Sequence, residues 1–519
     1  MRFNFVKQTL IGASLITAIA HIIGAFLGYF REAVTASYFG TTAILDAFIL
    51  AFTIPELITT IIFSSMPTAL IPILKKIDVE SKDKESDIFW CGLLNFAIIL
   101  ALISFMIYLF RGNILYLLAS NLSVESVILG KKLMTIFSFY IFFRGCEFYL
   151  RSWLFREKHF IIPATSNIII TVIILASLFV MYGEIGIEAL AYGWLLGSII
   201  LFIINIIAVI VVSKTPVKFS LYNPWLTMLF KSVIIIASVE IVSMVFPLID
   251  RYLAVKYLDP GVISALRFAM IIIVLPNRIF AVAFSTASFP WIADHSQNGN
   301  MDRLRIMYKD SLRMLFFIMG LIAIGVAIFS EEIVLLALMR GAFDEGSLHL
   351  TAGPLRMYAL GIAFSAAYIY QMRYYYALME YKKLGSIKLI MLLIKIILSY
   401  ILIRSLKQDG LALASALTWF SGFLIMSLNL SRKINCSIRN LIDANGFKIL
   451  ALAVVIIFFW LIADNLWVIG HSTLEVSVKL IVLGIAGTVI YFGLAILMKI
   501  PEPKKLYEIL LRRIHKAEA

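Results

Sequence analysis

Charged side chains are scarce in this sequence, and their scarcity restricts what the chain can be. Asp, Glu, Lys and Arg make up only 15% of the 519 residues, whereas hydrophobic residues make up 62%. A water-soluble chain carries about 25% charged and about 45–50% apolar residues. Apolar runs of roughly 20 residues, long enough to cross a hydrocarbon layer as a helix, recur to the end of the chain. This composition excludes a soluble globular protein and predicts a polytopic membrane protein.

Cysteine and histidine are also few and scattered. The three Cys and six His do not form the paired spacings that bind zinc or build a disulfide framework. The sequence contains no GxxxxGK[ST] phosphate-binding loop. We therefore expect no metal site and no cofactor, and we expect that ATP hydrolysis in this chain does not drive any transport.

Membrane spans are predicted from the apolar runs. Because lipid cannot hydrogen-bond to the backbone, the spans must be helices, and we predict an all-α polytopic membrane protein with about fourteen transmembrane helices. The first run follows basic residues as in a signal peptide, but it is too long for one. The predicted spans are 9–30, 44–73, 89–110, 127–155, 161–182, 187–212, 227–257, 261–291, 311–330, 350–379, 385–404, 410–431, 447–466 and 476–498.

Lys and Arg are concentrated in alternate connections between these spans, for example at 75–84 and 382–383. The positive-inside rule then predicts that both termini are cytoplasmic. Most of the net charge of +14 is this topological signal, spread over many short loops, so we expect no binding to nucleic acid. Residues 501–519 have the pattern of a basic amphipathic helix at the inner membrane interface, with a solvated tail as the alternative.

A weak internal repeat has an offset of about 220 residues, as in transporters built from two lobes. GYFREAVTASYFG at 28–40 matches PLIDRYLAVKYLD at 247–259, and DAFILAFTIP at 46–55 matches RFAMIIIVLP at 267–276. We predict two six-helix lobes in parallel orientation, related by a pseudo-two-fold axis; similar apolar composition is the alternative explanation. The predicted domains are 1–215 and 216–440 for the lobes, 441–500 for a final helix pair and 501–519 for the tail.

Charged residues recur in the first two helices of each predicted lobe. An ion at mid-bilayer costs at least a few kcal/mol unless it faces protein or water. We therefore expect a hydrated, net cationic cavity between the lobes, with snorkelling of each side chain to the interface as the alternative. The residues are Arg31, Glu32, Asp46 and Glu56 in the first lobe, and Glu240, Asp250, Arg251, Arg267 and Arg278 in the second.

The predicted cavity suits an anion, because the guanidinium group matches the geometry of phosphate. Arg31, held by Glu32 and facing Arg267 across the cavity, is predicted to bind a diphosphate. That diphosphate could belong to a lipid-linked sugar, a nucleotide sugar or an anionic lipid. Pro55 and Pro276 each interrupt a span and are predicted hinges.

Energy coupling has several candidates in the sequence. Asp250 and Glu240 lie within a predicted span and are candidates for coupling to Na⁺ or H⁺, since intramembrane acids often have such roles. An ion pair between Asp250 and a neighbouring Arg is the alternative. Coupling to the membrane potential is a further alternative.

These residues resemble those of the MurJ/MviN flippases of the multidrug, oligosaccharidyl-lipid and polysaccharide exporter superfamily. The resemblance covers nearly the whole chain, and its most specific segment is LMRGAFDEGSLHLTAGPLRMYALGIAF at 338–364, followed by RYYYALMEYKK at 373–383. It implies fourteen helices in two lobes and alternating access that carries a polyprenyl-diphosphate-linked sugar, typically lipid II, to the outer leaflet of the bacterial inner membrane.

The resemblance also implies residue roles. Arg31, Glu32 and Arg267 would bind the diphosphate, Asp46 would be the matching acid of the second helix, and the final helix pair would form a groove for the lipid tail. From the charge pattern alone, Arg251 and Arg278 are expected to support the cavity. We expect a monomer that is not an enzyme and whose partners are a lipid-linked saccharide and the membrane.

The sequence departs from the family pattern at two places. The family commonly has Arg in the first helix where this chain has Ala25, and basic residues after the proline of the second helix where this chain has Thr59 and Thr60. These departures leave room for another lipid-linked oligosaccharide. A drug exporter of the same superfamily is disfavoured by the surplus of arginine, and a membrane polymerase or ligase by the short outward connections.

Overall fold

The computed structural model describes residues 10–78, 82–118, 122–213, 220, 223–434, 443–467 and 473–508. Within these ranges the regular elements are all helices, which confirms the predicted all-α class. The helices are α1 (Leu10–Phe39), α2 (Ala43–Asp78), α3 (Lys82–Leu118), α4 (Val124–Arg156), α5 (Ile161–Ile185), α6 (Glu188–Ser213), α7 (Leu226–Tyr257), α8 (Val262–Pro276), α9 (Ala283–Gln297), α10 (Met301–Ile328), α11 (Ser330–Leu338), α12 (Glu345–Ala359), α13 (Ile362–Ala377), α14 (Tyr381–Lys433), α15 (Ala444–Leu466) and α16 (Thr473–Leu497).

The number of spans agrees with the sequence prediction. Among the described residues, ten helices are long and apolar enough to cross a membrane, and α7, bent by 41°, is an eleventh. α14 has 53 residues and is kinked at Lys407, whose φ is 50°. A straight helix of that length would measure about 80 Å, far more than the roughly 30 Å of a hydrocarbon layer. Its two arms therefore correspond to the two predicted spans 385–404 and 410–431, and α1 and the α12–α13 pair correspond to the remaining predicted spans.

Two predicted spans have different boundaries in the structure. The first was expected to end near residue 30, but α1 continues to Phe39, where the Tyr38 ring packs 4.5 Å from the Tyr182 ring. The span predicted over 350–379 is instead two helices, α12 and α13. The chain turns at Gly361, where a Cβ would lie 2.8 Å from the Cα of Ala416, so the close approach of α14 requires glycine at the turn.

The helices form two compact units, Met1–Ser264 and Ala265–Ala519. In the first unit, α4 packs against α2, α3 and α6, and α7 packs against α2. The rings of Phe52 on α2, Tyr140 on α4 and Trp194 on α6 lie within 6 Å of one another. The division predicted at residue 215 and the pseudo-two-fold axis derive from the repeat, and both stay predictions.

In the second unit, α12 and α13 pack against α14, and the final pair α15–α16 packs against α10. Phe317 on α10, Trp460 on α15 and Tyr491 on α16 belong to one buried apolar cluster. Ion pairs fix both ends of the final pair: Asp443 bonds to Arg313, and Lys479 bonds to Glu332 and Asp464. Most of the predicted amphipathic tail, residues 509–519, lies outside the described residues.

Candidate functional site

Arg31 and Glu32 lie inside α1 and form an ion pair. Arg31 Nη2 is 2.6 Å from Glu32 Oε1, and the two side chains are 16% and 8% exposed. The Thr35 hydroxyl donates a hydrogen bond to the Arg31 carbonyl oxygen one turn below. The sequence had suggested that the first membrane helix ends at this charged pair. Because α1 continues to Phe39, the pair instead lies inside the helix.

The Arg31 guanidinium is also stacked on an aromatic ring. Its carbon atom lies 4.9 Å from the centre of the Trp194 ring on α6, a cation–π distance. Trp194 is itself held by Phe52, with ring centres 5.0 Å apart, and by Tyr140, with ring centres 5.9 Å apart. Glu32 and Trp194 therefore hold the guanidinium from two directions, which fixes the orientation of its planar donor face.

A second arginine pair joins α7 to α2. Arg251 Nη2 lies 3.1 Å from Glu56 Oε2, and Arg251 Nη1 donates a 2.7 Å hydrogen bond to the Thr53 hydroxyl. The Arg251 side chain is 16% exposed and that of Glu56 is 37% exposed. Arg251, which was predicted to support the cavity, is thus paired with Glu56. Glu56 directly follows the predicted hinge Pro55 on α2.

Asp46 caps a neighbouring helix. Its Oδ2 accepts a 2.6 Å hydrogen bond from the Gly261 N–H, and its Oδ1 accepts a 2.8 Å hydrogen bond from the Ser264 N–H. These N–H groups are the unpaired donors at the start of α8, where a negative charge is also favoured by the helix dipole. Asp46 is only 4% exposed, so it stabilises the packing of α2 against the start of α8.

α4 carries a buried ionic trio that the sequence reasoning missed. Glu147 Oε2 lies 3.1 Å from Arg144 Nη1, and Glu147 Oε1 lies 3.2 Å from Arg151 Nε. Arg151 Nη2 also donates to the Pro163 carbonyl oxygen at 3.1 Å. All three charged side chains are at most 6% exposed. The signal was available in the segment RGCEFYLR, since charges spaced three and four residues apart lie on one helix face.

The trio adjoins the place where the sequence departs from the family pattern. The Tyr140 side chain, one turn before Arg144, lies beside the Thr59 side chain on α2. Thr59 is buried and its hydroxyl donates to the Pro55 carbonyl oxygen. Arg144 and Arg151 on α4 therefore add positive charge beside this part of α2, where Arg251 of α7 is already paired with Glu56.

The remaining predicted residues lie on α7 and in the second unit. Asp250 and Glu240 are half-buried on α7. Arg267 is half-buried on α8, and Arg278 is exposed on a π-helical turn, Asn277–Val282, that directly follows Pro276. A π-turn after proline interrupts regular helical hydrogen bonding, which fits the predicted hinge at Pro276. The facing of Arg31 and Arg267 stays a prediction.

Comparison with known proteins gives one consistent family. A family model described as "Lipid II flippase MurJ" matches residues 35–487. The chain is 25% identical over 518 residues to the probable lipid II flippase MurJ of Thermotoga maritima, covering 97% of this chain and 100% of that protein. It is 24% identical over 417 residues to the probable lipid II flippase MurJ of Borreliella burgdorferi, covering 78% of this chain and 80% of that protein.

Solved structures give the same fold. A structure titled "Lipid II flippase MurJ, inward closed conformation" is similar with a TM-score of 0.80 at 24% identity, covering 93% of this chain and 100% of that one. An inward-facing multidrug resistance MATE family transporter of the MOP superfamily is similar with a TM-score of 0.67 at 14% identity, covering 81% of this chain and 98% of that one. The resemblance found in the sequence is confirmed: this chain belongs to the lipid II flippase MurJ family.

Proposed function

We propose that this protein is a flippase that moves lipid II, a polyprenyl-diphosphate-linked saccharide, from the inner to the outer leaflet of the bacterial inner membrane by alternating access. Membership of the family supports the substrate class. The many helices that are long and apolar enough to cross a membrane support the membrane location. The observation that carries the proposal is the Arg31 guanidinium, held inside a membrane helix by Glu32 and Trp194.

The Arg31 geometry suits a diphosphate. A planar guanidinium binds phosphate oxygens through paired N–H donors, and holding it in advance reduces the side-chain entropy lost on binding. Glu32 and Trp194 hold Arg31 in this way within the first unit. We propose Arg267 as a second diphosphate ligand and Arg278 as a supporting charge, with the sugar and diphosphate crossing in a wet cavity while the lipid tail stays in the bilayer.

The charge on α4 bears on the choice of lipid-linked glycan. The missing basic residues at Ala25 and Thr60 had left room for another lipid-linked oligosaccharide. Arg144 and Arg151, paired with the single acid Glu147, give α4 a net positive charge beside Thr59. An excess of positive charge makes the local electrostatic potential favourable for an anion, even where the arginines do not contact that anion directly. This surplus favours an anionic, diphosphate-linked substrate and disfavours export of cationic drugs.

The remaining functional features are also proposals. We propose that the protein is not an enzyme, works as a monomer, binds no nucleic acid and has both termini in the cytoplasm. We propose that it has no cofactor and that its cycle is coupled to Na⁺, H⁺ or the membrane potential, with Asp250 and Glu240 on α7 as the acids to test. Pro55 and Pro276 are the proposed hinges.

The test is rescue of a bacterium depleted of its own lipid II flippase, with surface-exposed lipid II as the readout. The parent should restore growth and surface lipid II, whereas Arg31→Ala and Arg267→Ala should not, at equal expression. Arg404→Ala is the matched control, because Arg404 is exposed and stacks on Tyr400 in its own helix. Full rescue by both site variants would overturn the diphosphate site. Failure of a well-inserted parent would overturn lipid II and favour a different lipid-linked glycan.

A further inference from the structure

The helix that runs from α8 into α9 is interrupted by a π-helical turn. Pro276 ends α8, and the π-turn Asn277–Val282 follows it directly, before α9 begins at Ala283. Proline has no N–H to donate to the carbonyl oxygen four residues earlier. A π-turn closes its hydrogen bonds over five residues instead of four, and such turns often lie at functional sites. This stretch is therefore where regular helical hydrogen bonding is weakest in the α8–α9 helix.

A side chain of the π-turn is hydrogen-bonded to α13. Asn277 Nδ2 donates a 3.0 Å hydrogen bond to Ser365 Oγ. The Ser365 hydroxyl in turn donates a 2.8 Å hydrogen bond to the Ile362 carbonyl oxygen in the first turn of α13. Asn277 is half-buried and Ser365 is buried. Because water has little access to Ser365, breaking the bond leaves buried polar groups unpaired, which is unfavourable.

The α13 side of this bond is held firmly by α14. α13 begins directly after Gly361, where a Cβ would lie 2.8 Å from the Cα of Ala416 on α14. Two turns beyond Ser365, the buried Gln371 side chain donates a 2.6 Å hydrogen bond to Ser427 Oγ, which is also on α14. Ser365 therefore lies on a stretch of helix that packing fixes both before and after it.

α9, on the other side of the bond, is packed much less tightly. Two of its 15 residues are buried, Ser285 and Ile292, whereas nine of the 16 residues of α13 are buried. A segment with few buried contacts has little packing energy to fix its direction. The direction of α9 depends instead on the π-turn from which it starts.

We propose that the hydrogen bond between Asn277 and Ser365 is a latch that fixes the π-turn, and through it the direction of α9, against the firmly packed start of α13. While the latch is closed, the α8–α9 helix keeps one bend. When the latch opens, the π-turn exchanges its hydrogen bonds and α9 changes direction about Pro276. This inference rests on the proposed hinge at Pro276, concerns the second unit alone and does not depend on the proposed substrate.

The first measurement is hydrogen–deuterium exchange of the purified full-length protein in detergent, read from peptides that cover 277–283 and 362–368. Asn277→Ala should accelerate exchange in the π-turn about 2- to 10-fold, as expected for the loss of one hydrogen bond, and should leave 362–368 at the parent rate. Ser365→Ala removes the acceptor and should accelerate the π-turn by the same factor. The double variant should be no faster than either single variant, because both remove the same bond.

The second measurement reports the direction of α9. Spin labels are attached through Trp291→Cys on α9 and His349→Cys on α12, both at exposed positions. The distance distribution between the labels, measured by pulsed EPR, should broaden in Asn277→Ala and in Ser365→Ala. The native cysteines to be replaced beforehand are Cys91, Cys146 and Cys436.

Ser296→Ala is the matched control for both measurements. The Ser296 hydroxyl donates a 3.2 Å hydrogen bond to the Ala377 carbonyl oxygen, so it also joins α9 to α13, but at the far end of α9 from the π-turn. Its removal should change neither the exchange of the π-turn nor the distance distribution.

The latch is overturned if the π-turn of Asn277→Ala exchanges at the parent rate, or if 362–368 accelerates by the same factor, because α13 would then move with the turn. Faster exchange without a broader distance distribution also overturns it, since the direction of α9 would not depend on the turn. So does an equal effect of Ser296→Ala. If Asn277→Ala does not fold, Ser365→Ala decides between the same outcomes. Transport is not measured, so failure of the flippase proposal leaves this result unchanged.

Discussion

The Arg31 guanidinium on α1 stacks on the Trp194 ring on α6, with 4.9 Å between the guanidinium carbon and the ring centre. This contact joins two helices that are far apart in the sequence. It gives Trp194 a positioning role at the proposed diphosphate site, although its own side chain carries no charge. The indole face attracts the cation, and the same face limits how the guanidinium can rotate.

Trp194→Ala should weaken transport through Arg31. A cation–π contact contributes about 0.5–2 kcal/mol, so we expect an about 2- to 30-fold loss in apparent affinity for lipid II. Trp194→Phe keeps an aromatic face and should retain most of the affinity. The measurement is lipid II translocation in proteoliposomes over a range of lipid II concentrations. Trp291→Ala, which removes a 65% exposed tryptophan, is the control. Unchanged affinity in Trp194→Ala would exclude the positioning role.

The sequence predicted the helices well because hydrocarbon imposes long apolar runs. It failed where a break depends on packing. One glycine, Gly361, separates α12 from α13 because α14 passes too close for a side chain, and that approach is not encoded locally. The sequence prediction also placed the end of the first span too early. Arg31 and Glu32 resemble the charged end of a helix when their tertiary partners are unknown.

The candidate site was predicted only in its local part. Adjacent residues such as Arg31 and Glu32 can be paired from the sequence, and the structure brings them together. Trp194 lies 163 positions after Arg31, and nothing in the local pattern of α6 indicates that its ring meets a cation. Asp46 was predicted to be a cavity acid from its charge, its place in the repeat and the family resemblance. Its hydrogen bonds to backbone N–H groups required the position of α8 to be known.

Asp46→Ala should act on stability. It leaves the Gly261 and Ser264 N–H groups without their acceptors, and loss of a cap costs about 0.5–2 kcal/mol, with more when the donors are buried. We expect a lower melting temperature and lower yield for Asp46→Ala, and a smaller effect for Asp46→Asn, which keeps one oxygen acceptor. Transport per folded Asp46→Asn molecule should stay near the parent value. A folded, stable Asp46→Asn that does not transport would contradict the capping role and support a charged role.

Glu147→Gln should be more damaging. It removes the one negative charge between Arg144 and Arg151, leaving two buried guanidinium groups that repel each other. Breaking a buried ion pair by removing one partner costs about 3–5 kcal/mol. We expect strong loss of folded protein, measured as the monodisperse yield and melting temperature in detergent. Glu125→Gln is the control, since Glu125 is exposed on the same helix. A stable Glu147→Gln would mean that the trio contributes little to folding.

Asp443 gives the second unit a predicted dependence on pH. It lies just before α15, where its Oδ1 accepts the Gly446 N–H at 3.0 Å and its Oδ2 lies 2.8 Å from Lys309 Nζ and 2.8 Å from Arg313 Nη1. Burial alone would raise the pKa of this carboxyl, but the hydrogen bonds from Lys309 and Gly446 and the positive charges of Arg313 and Lys309 outweigh burial and lower the pKa from 3.8 to about 2.

A carboxyl whose pKa is lower in the folded than in the unfolded state stabilises the fold above its unfolded pKa and loses that contribution as the pH falls through its folded pKa. Acidification from about pH 5 to about pH 2 should therefore lower the melting temperature of the parent more than that of Asp443→Asn, because Asn keeps the cap but cannot titrate. The measurement is the melting temperature of both proteins in detergent across this range, with the difference between them shrinking below the unfolded pKa of 3.8. A difference that stays constant down to about pH 2 would show that the ionised Asp443 does not hold the start of α15 to α10.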